Sequence, residues 1–323
     1  MMRTMIQTTM GAIAVAAILC SGTQATAAAN CPPGSACSSL TQPATELVMP
    51  FDATSGKASY MIVSNPHASS PQGGAKITTH WTFWGQNCNE LADLSMCLTE
   101  RDTVVVDPTN IQAIGADNTP SGPLVNLAGS RGIVTVTAYE TDTNCRPFDQ
   151  TGKVLSRDGI VGTFTVADLE TGYSFGNDAE GFNTDIRGYS IELPPHPTSD
   201  RGRYVLQTLN PSTLDASFVV MAWLTVIDGV AEPIDENTDF YTTYYDNLEV
   251  ATSLPDVAMD CLEFRNLAGG TSPLIPDFVK PTSSGILALA PTNRDDRDDY
   301  LFAVVGQAVG VFGGSSHAKV QID

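Results

Sequence analysis

From Lys76 to Cys88 the chain reads KITTHWTFWGQNC, in which Ile77, Thr79, Trp81 and Phe83 alternate with Thr78, His80, Thr82 and Trp84. A period of two with aromatics on one side predicts a strand whose aromatic face turns inward. A second run, Ala216 to Asp228, centres Trp223 among β-branched residues and reads the same way. Further strands are expected at Ala58 to Ser64, Asp102 to Asp107, Gly132 to Glu140 and Ile160 to Asp168, between turns rich in Gly, Pro, Asn and Asp. No long stretch has helical period. One short helix is expected from Pro108 to Ile114, with Asp107 as N-cap and Pro108 at the first helical position. Near the end, Tyr300 to Val305 and His317 to Ile322 read as strands joined by a hairpin turn through the Gly-rich stretch Gly306 to Ser316.

The second half echoes the first. Tyr60 to Pro66 resembles Tyr204 to Pro211, and Arg131 to Ala138 resembles Ser284 to Ala290, in the same order. The seam would be LPPHPTSDRGR, Leu193 to Arg203, whose prolines forbid regular structure. The expectation is an all-β chain of two tandem antiparallel β-sandwich domains, immunoglobulin-like or jelly-roll in type, spanning residues 46–193 and 203–323.

The start of the chain carries Arg3, an apolar run from Gly11 to Leu19 and small residues with Ala25-Thr26-Ala27 as an A-x-A-like site, so residues 1–29 read as a secretory signal peptide. The apolar run is shorter than the roughly 20 residues that span a bilayer. With 36 acidic against 16 basic residues and a net charge of -20, the chain repels phosphate backbones and anionic lipid, which argues against nucleic acid as a partner.

Export and cysteine count support one another. Removal of Cys20 with the signal leaves Cys31, Cys37, Cys88, Cys97, Cys145 and Cys261, an even set that suits disulfides in an oxidising compartment. Proximity in sequence suggests Cys31 with Cys37, inside a Pro-, Ser- and Thr-rich lead-in at residues 30–45, and Cys88 with Cys97 across a polar connection. That leaves Cys145 for Cys261.

The candidate chemistry is sparse. Of the four histidines, His67 and His196 sit in Pro-rich stretches and His317 in a Gly-Ser stretch, while His80 lies on the second face of the aromatic strand beside Trp84. No nucleophile elbow, zinc spacing or phosphate cradle is present, and no cofactor is expected. Calcium is the exception considered, because hard cations want several flexible oxygens: Asp178, Glu180, Asn183 and Asp185 form one acidic stretch, and Asn293 to Asp299 another. In the second, Arg294 and Arg297 suggest local ion pairs instead. The densest aromatic patch contains Tyr241, Tyr244 and Tyr245, which with His80 and Trp84 are the candidate contact residues for a protein or carbohydrate surface.

These features favour an exported acidic protein that works by binding, adhesion or surface assembly. An exported glycoside- or ester-cleaving hydrolase and a subunit of a fibre or surface layer are the alternatives. N-terminal sequencing of the mature protein is expected to find a start between Ala27 and Asn30; an intact Met1 would contradict export by this signal.

Overall fold

The structure, a computed structural model, describes residues 43–66, 76–115, 119–140, 145, 159–184, 190–194, 202–235, 238–270, 272–279, 283–292, 299–310 and 312–321. The signal, Cys31, Cys37, His67, Asp185, His196 and most of the proline-rich seam lie outside the described residues.

The fold is all-β. In chain order the first strands are β1 (Glu46–Asp52), β2 (Lys57–Ser64), β3 (Ile77–Gly85), β4 (Glu90–Leu98), β5 (Thr103–Val106) and β6 (Ile111–Ile114). They are followed by β7 (Pro120–Val125), β8 (Arg131–Glu140), β9 (Val161–Asp168), β10 (Ser174–Asp178), β11 (Glu180–Thr184) and β12 (Ile191–Glu192). Beyond the seam come β13 (Arg203–Thr208), β14 (Ala216–Ile227), β15 (Val230–Pro233), β16 (Thr238–Asp246), β17 (Ala251–Ser253) and β18 (Val257–Met259). The last are β19 (Leu262–Arg265), β20 (Gly285–Pro291), β21 (Tyr300–Val309), β22 (Phe312–His317) and β23 (Lys319–Gln321).

Strands before the seam build an eight-stranded sheet, β12-β11-β1-β8-β3-β4-β6-β7, and a four-stranded sheet, β10-β9-β2-β5. Strands after it build a six-stranded sheet, β17-β16-β20-β13-β23 with β18 on β16, and a five-stranded sheet, β15-β14-β21-β22 with β19 on β14. The ladders are antiparallel apart from a parallel contact of β4 with β6. No described ladder crosses the seam, yet the buried apolar side chains form one continuous cluster running from Ala44 to Ala318.

The alternation around Trp81 is realised. Trp81 pairs with Val136 and Leu94 and is fully buried, and Phe83 meets Phe51 edge-to-face at 5.6 Å. Strands β1 and β21 are buried almost throughout on both faces, which is why ELVMPFD and YLFAVVGQAV read as apolar runs with little alternation. In the five-stranded sheet one face carries Trp223 and Leu301 toward the six-stranded sheet, where Trp223 meets Phe240 edge-to-face. The other face carries Phe218, Val220, Tyr300 and Phe302 toward the first half of the chain, where Phe175 and Phe182 meet Phe218 and Tyr300. Gly306 lies opposite Phe218, and a Cβ there would fall 2.2 Å from the ring, so the space of a side chain is given to the phenylalanine.

Several sequence expectations are corrected. Residues 108–114 are not helical: Asp107 Oδ1 accepts from Thr109 N and Oγ1, closing a side-chain turn that leads into β6. The Gly-rich stretch after Val305 is mostly strand, with Gln307 paired to Gly314, so the turn shrinks to the residues around Gly310 and His317 ends β22, buried. The echo of Arg131–Ala138 in Ser284–Ala290 does not carry to topology: β8 pairs with the Trp81 strand, whereas β20 pairs with β13 and β16, and it is β21 that pairs with the Trp223 strand.

The disulfides are also repaired. Cys88 bonds Cys261 and Cys97 bonds Cys145, with Cα separations of 5.7 and 5.6 Å. The expected Cys88–Cys97 pair fails because the intervening residues are strand β4, not a connection, which holds the two cysteines roughly 25 Å apart at opposite ends of a hairpin. The Cys88–Cys261 bond spans 173 residues and ties the two halves together. In the chain-entropy account a loop of that length is worth about 5 kcal/mol, and the 48-residue span of the other about 4 kcal/mol. Two cysteine pairs at bonding distance suit an oxidising, exported compartment, and among the described residues no helix is long and apolar enough to cross a membrane. Proteolysis without reduction is expected to release peptides joined as Cys88–Cys261 and Cys97–Cys145, and replacing Cys88 and Cys261 together by Ser is expected to lower stability by about 2 to 5 kcal/mol in denaturant titration.

Candidate functional site

Where the two halves meet, three features are built: a cleft, and two buried carboxylates held between sheets. The cleft has a volume of about 520 Å³. It opens beside the end of β1 and the start of β8, where Asp52 and Arg131 are cross-strand partners and so share a face. The apolar wall comes from the far half: Phe218 and Val220 on β14 and Phe264 on β19, placed on one face because Val220 pairs with Phe264. Phe175 on β10 completes it, edge-to-face with Phe218 at 5.0 Å.

The Arg131 guanidinium lies 4.7 Å from the centre of the Phe264 ring, and its Nε donates to Gln86 Oε1 at 3.0 Å. The carboxylates around it are already engaged. Asp52 Oδ1 accepts from Thr54 N and Oγ1 at 3.0 and 2.6 Å, and Asp215 accepts from Gly310 N. Asp168 pairs with Lys57 at 2.6 Å. Burial works against its charge, but hydrogen bonds from Lys57, Thr171 and Glu170 outweigh that and hold the carboxyl at about 2.

Glu180 on β11 is wholly buried. Its Oε1 accepts from Tyr300 OH at 2.5 Å, and its Oε2 stands 3.5 Å from His317 Nδ1. The other ring nitrogen of His317 is 2.8 Å from the main-chain oxygen of Asp178, and Phe164 and Phe302 flank the imidazole edge-to-face. Burial pushes the Asp178 carboxyl up, with His317 opposing. Tyr204 OH, beside this group, accepts from Leu301 N, and burial raises its pKa as well. These polar groups come from both halves and face each other with water excluded. Their geometry is that of a clamp; a general base needs access to a substrate, which this one lacks.

The second buried acid is Glu46, the first residue of β1. Both carboxylate oxygens accept from Ala231 N on β15, at 3.1 and 3.2 Å, and Thr137, its cross-strand partner, bonds it too. Burial nevertheless dominates and pushes the carboxyl up to about 8. Tyr139 next along β8 is raised by burial and then by Glu46.

The sequence candidates fall in different places. His80 is half-buried on the second face of β3, 3.3 Å from Asp93 Oδ2, with Tyr139 edge-on at 6.4 Å. Trp84, expected on an open surface, is 9% exposed and donates from Nε1 to Thr135 Oγ1. The tyrosines do not form one patch. Tyr241 and Tyr245 point outward from β16, Tyr241 55% exposed and Tyr245 bonded by Arg203, while Tyr244 points inward and donates to Ser283 O at 2.6 Å. Adjacent residues on a strand take opposite faces, which separates Tyr244 from Tyr245.

The proposed calcium ligands diverge likewise. Glu180 and Asn183, three apart on β11, face opposite ways, and Asn183 Oδ1 accepts from Thr45 N. Among the described residues no three His, Cys, Asp or Glu side chains are grouped to hold a metal. Arg131, Phe264, Tyr300 and Ala231 carried no local signal, since each acquires its meaning from a residue more than a hundred positions away.

In comparisons with known proteins, the chain matches no family model and no curated protein.

Glu46 makes stability depend on pH in a defined sense. A folded pKa near 8 against the ordinary 4.5 means the folded state holds the proton, so the contribution is full below about pH 4.5 and is lost as pH rises through about 8. Glu46→Gln, which keeps an acceptor for Ala231 N and removes the ionisation, is expected to match the parent at pH 5 and to exceed it by a few kcal/mol, on the order of magnitude of the shift, at pH 8.5 in thermal or urea unfolding.

Proposed function

We propose that the chain is an exported, disulfide-stapled protein of two tandem β-sandwich units, immunoglobulin-like or jelly-roll in type, that acts by binding a ligand at their junction. One observation carries the reading: the cleft of about 520 Å³ between the halves, with an apolar wall of Phe175, Phe218 and Phe264 and a guanidinium at its edge. That size suits a small molecule, and the aromatic wall stands beside charged groups that could orient one, among them Lys57, Arg131 and Asp168. Hydrolysis is the weaker reading for the same site. Among the described residues its lining contains no histidine, and Asp168 is held far below the range a general acid needs.

Contact with a larger surface is a second reading, favoured by the outer face of the six-stranded sheet, where Tyr241 is joined by exposed Ile286 with Leu248 and Val250 in the following turn. Assembly into a fibre by strand addition gains less support. The eight-stranded sheet ends in β7, which carries Pro120 and Pro123, and in β12, which has two residues; both are edges that blunt pairing with another chain.

Protein purified gently from the producing cells is expected to carry a small molecule detectable by native mass spectrometry, lost in Leu214→Trp at the cleft and retained in Tyr241→Ala. It is expected to be inert toward glycosides, esters and peptides. Turnover abolished by His80→Ala or Asp52→Asn would refute the reading, as would a ligand lost with Tyr241 and kept in Leu214→Trp.

A further inference from the structure

We propose that the ligand of this cleft is a small organic acid, a carboxylate carried on a planar or branched apolar body, recognised by Arg131; this rests on the binding reading above. The chain has 36 acids against 16 bases, and three carboxylates, Asp52, Asp168 and Asp215, line the cleft with Arg131. Arg131 takes none of them. Among the described residues its contacts are Gln86 Oε1 and the Phe264 ring, although Asp52 is its cross-strand neighbour. Asp52 is turned away to close the turn at Thr54, Asp168 is taken by Lys57 and two backbone N–H groups, and Asp215 caps Gly310.

The consequence is directional. The carboxylates of the cleft already receive donors from the protein, whereas among the described residues the terminal nitrogens of the guanidinium have no acceptor. A guanidinium lying on an aromatic ring and held at Nε keeps its outer edge free, and that fork matches the two oxygens of a carboxylate. Stacking on Phe264 fixes the plane, so little side-chain freedom remains to be lost on binding. The net charge of -20 opposes any anion at long range, but that field is screened over about 8 to 10 Å in physiological salt, leaving the cleft's own charges to decide, where Lys57, Arg131 and Arg265 stand against Asp52, Asp168 and Asp215. The acid group would sit at Arg131, and the apolar body would lie along Phe175, Phe218 and Val220.

The test is calorimetric titration of the mature full-length protein with phenylacetate, phenylacetamide and acetate. Phenylacetate is expected to bind about tenfold tighter than either, the amide lacking the charge and acetate the apolar body. Arg131→Gln is expected to erase the preference for acid over amide, with Arg131→Lys restoring only part of it. In wild-type crystals soaked with 4-bromophenylacetate, anomalous scattering is expected to place bromine among Phe175, Phe218 and Val220, which keeps the proposal open to refutation even if the Arg131 variants do not fold. Equal binding of acid and amide, unchanged in Arg131→Gln, would overturn the anion and leave the cleft as a binding site. Bromine found elsewhere, or no saturable binding of any of the three, would overturn both.

Discussion

The five-stranded sheet has two apolar faces, and the six-stranded sheet can cover only one. Phe218, Val220, Tyr300 and Phe302 would otherwise stand in water, and at about 25 cal/mol per Å² of apolar area an uncovered face of that kind would be costly. The first half of the chain supplies the cover through Phe164, Phe175 and Phe182. Most of what is distinctive in the molecule follows from this need. The polar groups trapped at the seam must find partners there, and they do so across it: Glu180 takes Tyr300, His317 takes the backbone of Asp178, and Glu46 takes Ala231. A buried carboxylate is costly when alone, so these pairings make the docking geometry specific as well as favourable.

The cleft belongs to the same arrangement. Two sheets that meet over part of their faces leave a gap where one ends, and here the gap falls beside the start of β8. Its walls therefore come from opposite halves. Phe264 and Arg131 touch only because β19 and β8 are both brought to the seam, so the site exists only while the halves stay docked.

Local pattern made much of the fold legible. The alternation around Trp81 and the β-branched run at Trp223 marked two central strands, and the pairing confirms that these residues are inward. Strand β4 was harder to read because ELADLSMCL carries two acids, lacks β-branched residues and lies at a half-exposed surface. That omission carried over into the cysteine pairing, since Cys88 and Cys97 look close only if the residues between them are a loop. The tyrosine cluster failed for a simpler reason: nearness in sequence was read as nearness in space, although period two already divides Tyr244 from Tyr245. The site was the least legible part. His317 follows Gly-Gly-Ser-Ser and looks like a loop residue, and nothing local to Arg131 announces a ring from residue 264 beneath it.

The Cys88–Cys261 bond has a mechanical consequence. A load applied to the chain on either side of these two cysteines passes through sulfur and bypasses the segment between them, a sequence separation of 173. Fully drawn out, that segment would measure roughly 600 Å. While the bond is intact this length is locked away, and β8, β14 and their neighbours are spared the pull whatever happens to the strands outside the loop. Reduction would release it, turning a short, stiff tether into a long, compliant one.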